Sequence, residues 1–234
     1  MKTQKLNKRT KQQEWVFEPE GPKPKSVAII HCVGSRDRNH NAWCSRVCCM
    51  HSLKFAHLVR EKLPDAECSE YYIDMRAYGK GYEEFLERVQ EEEIQIIRGR
   101  SAEVVERDGK MLVRGEDVLA GRLIEQPVDM VLLAVGLQPS AGTYRLAEIL
   151  GIDRVADGWF NENNYNSDPN STERGGIFVA GVCQGPKDIP DTVAQASAAA
   201  GRVLRSIIGG ATPKSRGEVT LAEIEGRARA LAQP

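Results

Sequence analysis

Four of the six cysteines, Cys32, Cys44, Cys48 and Cys49, lie in the single stretch His31 to Cys49. A spacing of C-x11-C-x3-C-C leaves few folds open, because the thiols either converge on a ligand or must be buried as small apolar side chains. Cys32 closes an apolar, β-prone run, Ser26-Val-Ala-Ile-Ile-His31, which places it at the C-terminal end of a strand. From Trp43 to Leu63 apolar residues recur at helical spacing (Val47, Met50, Leu53, Leu58). Cys44 and Cys48 are four apart and would stack on one helical face, with Cys49 turned about 100° away. A strand end and the first turn of the following helix meet in any strand–loop–helix unit. Four thiols can therefore gather where helix N–H groups favour negative charge and lower thiol pKa values.

Spacing alone leaves three readings open. A cysteine-ligated iron–sulfur cluster takes four thiolates and tolerates varied spacing. Structural zinc is usually held by two separated C-x2-4-C pairs, which the adjacent Cys48 and Cys49 fit poorly. Unliganded thiols packed in a core are the third.

The chain has 234 residues, enough for one substantial core or a domain with a smaller lobe. Its net charge of −1 argues against a general nucleic-acid surface. No run of about 18 apolar residues and no apolar leader is present, so neither a membrane span nor a secretory signal is expected. Clustered cysteines without an export signal suit a reducing, cytoplasmic setting. Residues 1–25 look like a basic tail or linker: Met1 to Gln13 carry five Lys or Arg and no acid, and Gly21-Pro-Lys-Pro interrupts regular structure.

From Ser26 onward strands alternate with helices. Cys68–Asp74 reads as a second strand, Tyr82–Glu93 as an amphipathic helix and Ile94–Ile97 as a third strand, the order of a parallel α/β unit. Ala102–Arg107 and Met111–Arg114 flank Asp108-Gly109, a hairpin signal, and Val128–Val135 reads as a buried strand returning to the core. The expected fold is thus α/β, a Rossmann-like parallel sheet with an antiparallel hairpin over residues 26–127. A flavin-binding-like segment would occupy 128–208, and a tail with a short helix 209–234. A dinucleotide-binding unit would place G-x-G-x-x-G in its first strand–helix turn. Here Cys-Val-Gly-Ser-Arg-Asp stands there, so NAD(P) binding is not expected.

Further on, Ile177–Ala180 reads as a short strand, followed by a loop, Gly181 to Asp188, and a helix with small faces from about Pro190 to Ile208. A strand ending on glycine before a helix N-terminus can present N–H groups to a flavin. The candidate flavin residues here are Gly181, Gly185, Pro186, Lys187, Asp188, Ile189 and Gln195. Gly136 is added to them because Leu133-Ala-Val-Gly-Leu-Gln-Pro139 resembles the strand–turn that re-enters the flavin domain of two-dinucleotide-binding-domain flavoproteins. Lys54, five residues after Cys49, could bring a cation to the flavin ring. Cys183 and Cys68 read as packed residues, and the four histidines show no ligand spacing with one another.

Cys-Val-Gly-Ser-Arg-Asp followed by Cys-Ser-Arg-Val-Cys-Cys-Met resembles the cluster-binding motif of the A subunits of heterodisulfide reductase, iron–sulfur flavoproteins of anaerobic electron-transfer complexes. The resemblance continues through Asp74-Met-Arg-Ala-Tyr-Gly-Lys-Gly-Tyr-Glu-Glu-Phe85, Ile97-Arg-Gly-Arg100 and Gly185-Pro-Lys-Asp-Ile-Pro190. It implies a [4Fe-4S] cluster on Cys32, Cys44, Cys48 and Cys49 near FAD, in a domain like the pyridine-nucleotide domain of thioredoxin reductase. Its glycine-fingerprint flavin lobe and ferredoxin modules have no counterpart here. Half of the FAD cradle would then come from another polypeptide of a redox complex, from a second protomer, or from nowhere. The function the resemblance implies is electron transfer between cluster and flavin, by an oxidoreductase subunit not active alone. A metal- or cluster-stabilised assembly scaffold and an NAD(P)H-dependent flavin reductase stand as alternatives.

Overall fold

The computed structural model describes residues 2–6, 13–17, 21–209 and 220–232. β1 (Lys2–Leu6) and β2 (Gln13–Phe17) pair antiparallel. Within the stretch read as a basic tail or linker, these two strands form a hairpin, and Trp15-Val-Phe17 are good strand formers.

The core is a parallel sheet of β3 (Ser26–Val33), β4 (Glu67–Tyr72), β5 (Gln95–Arg98) and β9 (Met130–Val135), ordered β5-β4-β3-β9. The helices α1 (Cys48–Lys62) and α2 (Tyr82–Glu91) connect β3 to β4 and β4 to β5. Alternation along β3 divides its side chains between two layers. Val27 and Ile29 join Leu53, Ala56, Cys68 and Val89 beneath the helices. Ala28 and Ile30 face the opposite way, onto Tyr71, Val113 and Val128. Burying each Val, Leu or Ile among them stabilises by about 1.5–3 kcal/mol.

The second layer is an antiparallel sheet of β6 (Ser101–Arg107), β7 (Lys110–Asp117) and β8 (Arg122–Val128). Asp108 and Gly109 turn with φ of 52° and 73°, the positive pair that a tight hairpin requires. The third strand, β8, was not foreseen. The expected strand Val128–Val135 is divided, with Val128 closing β8 and Met130 opening β9. The residue between them, Asp129, uses its carboxylate elsewhere: it accepts from the Lys25 and Ser26 N–H groups at 2.7 and 3.1 Å.

Lys110 pairs with the same carboxylate, and with those N–H groups it holds the Asp129 pKa down to about 2. A depressed pKa contributes stability above the ordinary carboxylate range that is lost as pH falls from about 4 toward 2. Asp129→Asn should lower the melting temperature at pH 7 and narrow its difference from the wild type at pH 2–3. Parallel melting curves across that range check this.

Beyond β9 helices alternate with irregular chain, and there are no further strands among the described residues. α3 (Thr143–Leu150), a 3-10 turn (Gly181–Gln184), α4 (Ile189–Gly209) and α5 (Leu221–Ala232) are its helical elements. A small cluster of Ala147, Ile152, Phe160 and Val179 lies among them. Ile177–Ala180 is not a strand; Phe178 makes one isolated bridge, to Ser171. The segment is extended, but no neighbouring strand among the described residues offers it a ladder. Among the described residues no helix is long and apolar enough to cross a membrane.

Candidate cluster and cofactor site

Cys32 sits at the penultimate position of β3 with φ +57°, a left-handed turn of the strand end that swings the chain into the cysteine loop. Cys48 and Cys49 open α1. Cys44 precedes the helix, so Cys44 and Cys48 do not stack on one helical face; the helix is capped by the Val47 backbone and begins one turn later than apolar spacing suggested. The loop nevertheless folds Cys44 back. Ionisation of Cys32, Cys48 or Cys49 would be opposed by the other members of the group, Cys44 included, so the four thiols lie within electrostatic reach of one another. Cys32, Cys48 and Cys49 are buried and Cys44 is half-buried. Burial pushes the Cys32 and Cys48 thiols up and takes Cys49 to about 11, while Arg36 opposes the rise at Cys32.

Salt bridges between distant motifs brace the loop. Arg36 meets Asp74 at 2.6 Å, Arg98 meets the same carboxylate at 3.2 Å, and Arg100 meets Asp37 at 3.0 Å. On the other side, Arg46 donates to the Tyr78 hydroxyl at 2.8 Å and pairs with Asp191 of α4 at 2.6 Å. None of these arginines stood out as a site residue in the sequence. Their signal was the run of Arg and Asp within the resembling motifs, and their partners lie dozens of residues away.

The turn after β9 forms the floor. Ser45 Oγ accepts from the Leu137 N–H at 2.8 Å, and the Trp43 indole donates to the Leu137 carbonyl at 2.9 Å. A Cβ on Gly136 would stand 2.9 Å from the Ser35 Cβ and 3.2 Å from Ser45 Oγ. The structure thus places Gly136 directly under the cysteine loop.

The second group of expected residues meets the cysteine helix across an apolar cleft of about 590 Å³. Met50, His51 and Lys54 line it from α1, and Val182, Lys187 and Ile189 from the opposite wall. The cleft desolvates Lys187, which lowers its pKa. Gly181 and Gly185 both take positive φ, 78° and 154°, as the loop turns into α4. Asp188 caps α4, its carboxylate accepting from the Asp191 N–H at 2.9 Å. Gln195 accepts from the Gly181 N–H at 2.6 Å and also contacts Gln184, so its amide is engaged within the loop. Pro186 is half-buried between Gly185 and Lys187. Cys183 is exposed, contrary to the expectation of a packed thiol, and donates to the Ala180 carbonyl at 3.2 Å. Cys68 is buried in the helical-side core as expected, its pKa pushed to about 12.

Among the described residues no group of three His, Cys, Asp or Glu side chains is arranged to hold a single metal ion. Each iron of a four-iron cluster takes its own thiolate, so its ligands stand farther apart than four ligands on one zinc. Two observations fit an anionic group among these thiols. The Arg46 N–H already donates to Cys44 Sγ at 3.3 Å, and one guanidinium nitrogen of Arg36, Nη1, is buried and makes no hydrogen bond of good geometry.

No protein-family model matches the chain. Its fold is that of thioredoxin reductases. The Lactococcus lactis protein aligns with TM-score 0.52 and 19% identity over 79% of this chain and 53% of its own. The T. acidophilum protein aligns with TM-score 0.50 and 16% identity over the same shares, 79% and 53%. In sequence the chain is similar to the A subunit of the H(2):CoB-CoM heterodisulfide,ferredoxin reductase of Methanothermobacter thermautotrophicus, 49% identical over 213 residues, 89% of this chain and 31% of that protein. It is 48% identical over 195 residues, 82% of the chain and 30% of the relative, to the second iron-sulfur A subunit of the CoB--CoM heterodisulfide reductase of Methanopyrus kandleri. The chain spans about a third of the length of these relatives. Over that span it belongs to the family of heterodisulfide reductase A subunits.

Proposed function

We propose that this chain is an electron-transfer segment of a heterodisulfide-reductase-like complex, in which a [4Fe-4S] cluster on Cys32, Cys44, Cys48 and Cys49 exchanges electrons with FAD. The observation that carries the reading is the cleft, which opens from α1, the helix of Cys48 and Cys49, onto the loop expected to face the flavin. When bound, the cluster supplies one-electron storage and the flavin links one- and two-electron chemistry.

The residues of the chain contribute position and charge. The first turn of α1 offers backbone N–H groups to the thiolates of Cys48 and Cys49, where negative charge is favoured. Lys54 and Lys187 bring cations to the two walls of the cleft. Positive charge there favours an anionic, reduced flavin, and such an anion would offset the desolvation of Lys187. The apolar walls limit water at the exchange site. Partners under this reading are the other subunits of a redox complex, including whichever polypeptide or second protomer carries the glycine-fingerprint flavin lobe. A reducing cytoplasm is the setting proposed for its free thiols.

Anaerobic reconstitution with iron, sulfide and FAD tests the proposal. About four iron and four sulfide per chain are expected. A Lys54→Ala, Lys187→Ala double variant should bind FAD about tenfold more weakly at an unchanged iron content, about 1.4 kcal/mol. Stoichiometric zinc with no iron uptake would replace the cluster by the scaffold reading, and unchanged FAD affinity would remove the cleft from the flavin site.

A further inference from the structure

Beyond its salt bridge to Asp74, Arg36 is fixed by the loop at several further points. The Ser35 N–H donates to the Cys32 carbonyl at 3.1 Å, a tight turn that folds residue 36 back toward Cys32. Arg36 itself takes φ +55°, outside the range an arginine ordinarily adopts. Its backbone is held on both sides, the N–H on the Trp43 carbonyl at 2.9 Å and the carbonyl on Arg100 Nη1 at 3.3 Å. One arm of the guanidinium, Nη2, is fixed by Asp74 at 2.6 Å. In the free-thiol protein the main-chain carbonyl of Asp74 accepts from the Cys49 thiol at 3.6 Å, so Asp74 stands between the arginine and the far side of the cysteine group. The other arm, Nη1, is buried and makes no hydrogen bond of good geometry, although the guanidinium is near enough to Cys32 to oppose the rise of its thiol pKa. A buried donor on a charged group is costly to leave unmatched unless something supplies an acceptor.

We propose that Arg36 is a positioning residue for electron transfer, its Nη1 donating a hydrogen bond to the Cys32 sulfur or a neighbouring cluster sulfur, so that its charge raises the cluster's reduction potential. This rests on the four cysteines holding a cluster. The local balance of charge supports it. Among the described residues Arg36, Arg98 and Arg100 pair with two carboxylates, Asp37 and Asp74, which leaves one positive charge in excess beside the thiols. The Arg36 charge acts on both Cys32 and Cys44. Reduction adds one electron, and hence one negative charge, to the cluster; the donor is an external low-potential one-electron reductant, and Arg36 keeps its protons throughout. A fixed cation and N–H donor favour the more negative form.

The test is an anaerobic dithionite titration of reconstituted chain, followed by electron paramagnetic resonance. Arg36→Gln should lower the equilibrium constant for one-electron uptake about tenfold, a potential about 59 mV more negative. Arg36→Lys keeps the charge but not the fork, and should fall between Arg36→Gln and the wild type. An unchanged potential in Arg36→Gln at full iron content overturns the proposal. If Arg36→Gln cannot retain iron, the wild type grown with guanidino-15N arginine decides: electron–nuclear double resonance should find one 15N coupling to the reduced cluster, and its absence overturns the proposal. Failure of the wild type itself to take up iron and sulfide would instead refute the cluster reading, so the two failures are distinguishable.

Discussion

Cys48→Ser is expected to abolish stable iron uptake, whereas Cys68→Ser should take up iron as the wild type does and unfold more easily. Both thiols are buried, so burial alone does not separate them. Their surroundings do. Cys48 opens α1 and interacts electrostatically with Cys32 and Cys44, whereas Cys68 packs in the core with Val27, Leu53 and Val89. A serine at position 48 replaces a soft anionic sulfur by a neutral hydroxyl, which cannot complete a four-thiolate set. At position 68 it buries a hydroxyl among aliphatic side chains, a loss of about 1–3 kcal/mol when no partner is found. Iron and sulfide analysis after anaerobic reconstitution measures the first effect, and urea denaturation of the unloaded protein the second. Equal iron content in the two variants would remove the ligand assignment. A Cys48→Ser variant as destabilised as Cys68→Ser would make Cys48 merely another core thiol.

The distribution of what was readable in the sequence follows from the range of the forces involved. The strands and α2 between Ser26 and Arg98 and the Asp108-Gly109 turn express local periodicity and backbone preference, and their ends stand within about two residues of where those signals placed them. β8 did not. Arg122 to Val128 mixes charge and proline with its apolar residues, and it is a strand because β7 pairs with it along its whole length. The start of α1 was missed because apolar spacing runs on through the loop that precedes a helix, while the true start is set by the fold of residues 34–47. Most of all, the bracing arginines could not be paired from the sequence. Arg36 finds Asp74 and Arg100 finds Asp37 only after the strands bearing them have aligned. The resemblance marked these residues as a group, and their separate jobs required coordinates.

Gly99 illustrates the same point with the largest stability effect expected of any single methyl. It lies in Ile97-Arg-Gly-Arg100, between the two arginines that brace the cysteine loop. A Cβ there would fall 1.7 Å from the carbonyl oxygen of Glu116 and 2.9 Å from its carbonyl carbon. Neither backbone can yield cheaply. The Gly99 N–H is bonded to the Tyr72 carbonyl at 2.8 Å, and the Val118 N–H to the Arg98 carbonyl at 2.8 Å, so this corner joins the parallel sheet to β7 of the antiparallel one. Gly99→Ala should therefore cost about 3–5 kcal/mol, at the upper end for a single substitution. At about 2–4 °C per kcal/mol for a chain of this size, the melting temperature should fall by roughly 6–20 °C. Arg98 and Arg100 would move with the corner, loosening Asp74 and Asp37, so iron retention after reconstitution should fall even below the melting transition. Gly142→Ala is the control, since a Cβ there meets only Ser140 Oγ, at 3.9 Å, and its melting temperature should match the wild type. If Gly99→Ala melts with Gly142→Ala and holds as much iron, the two sheets are not locked at this corner, and the arginines must be positioned by their salt bridges alone.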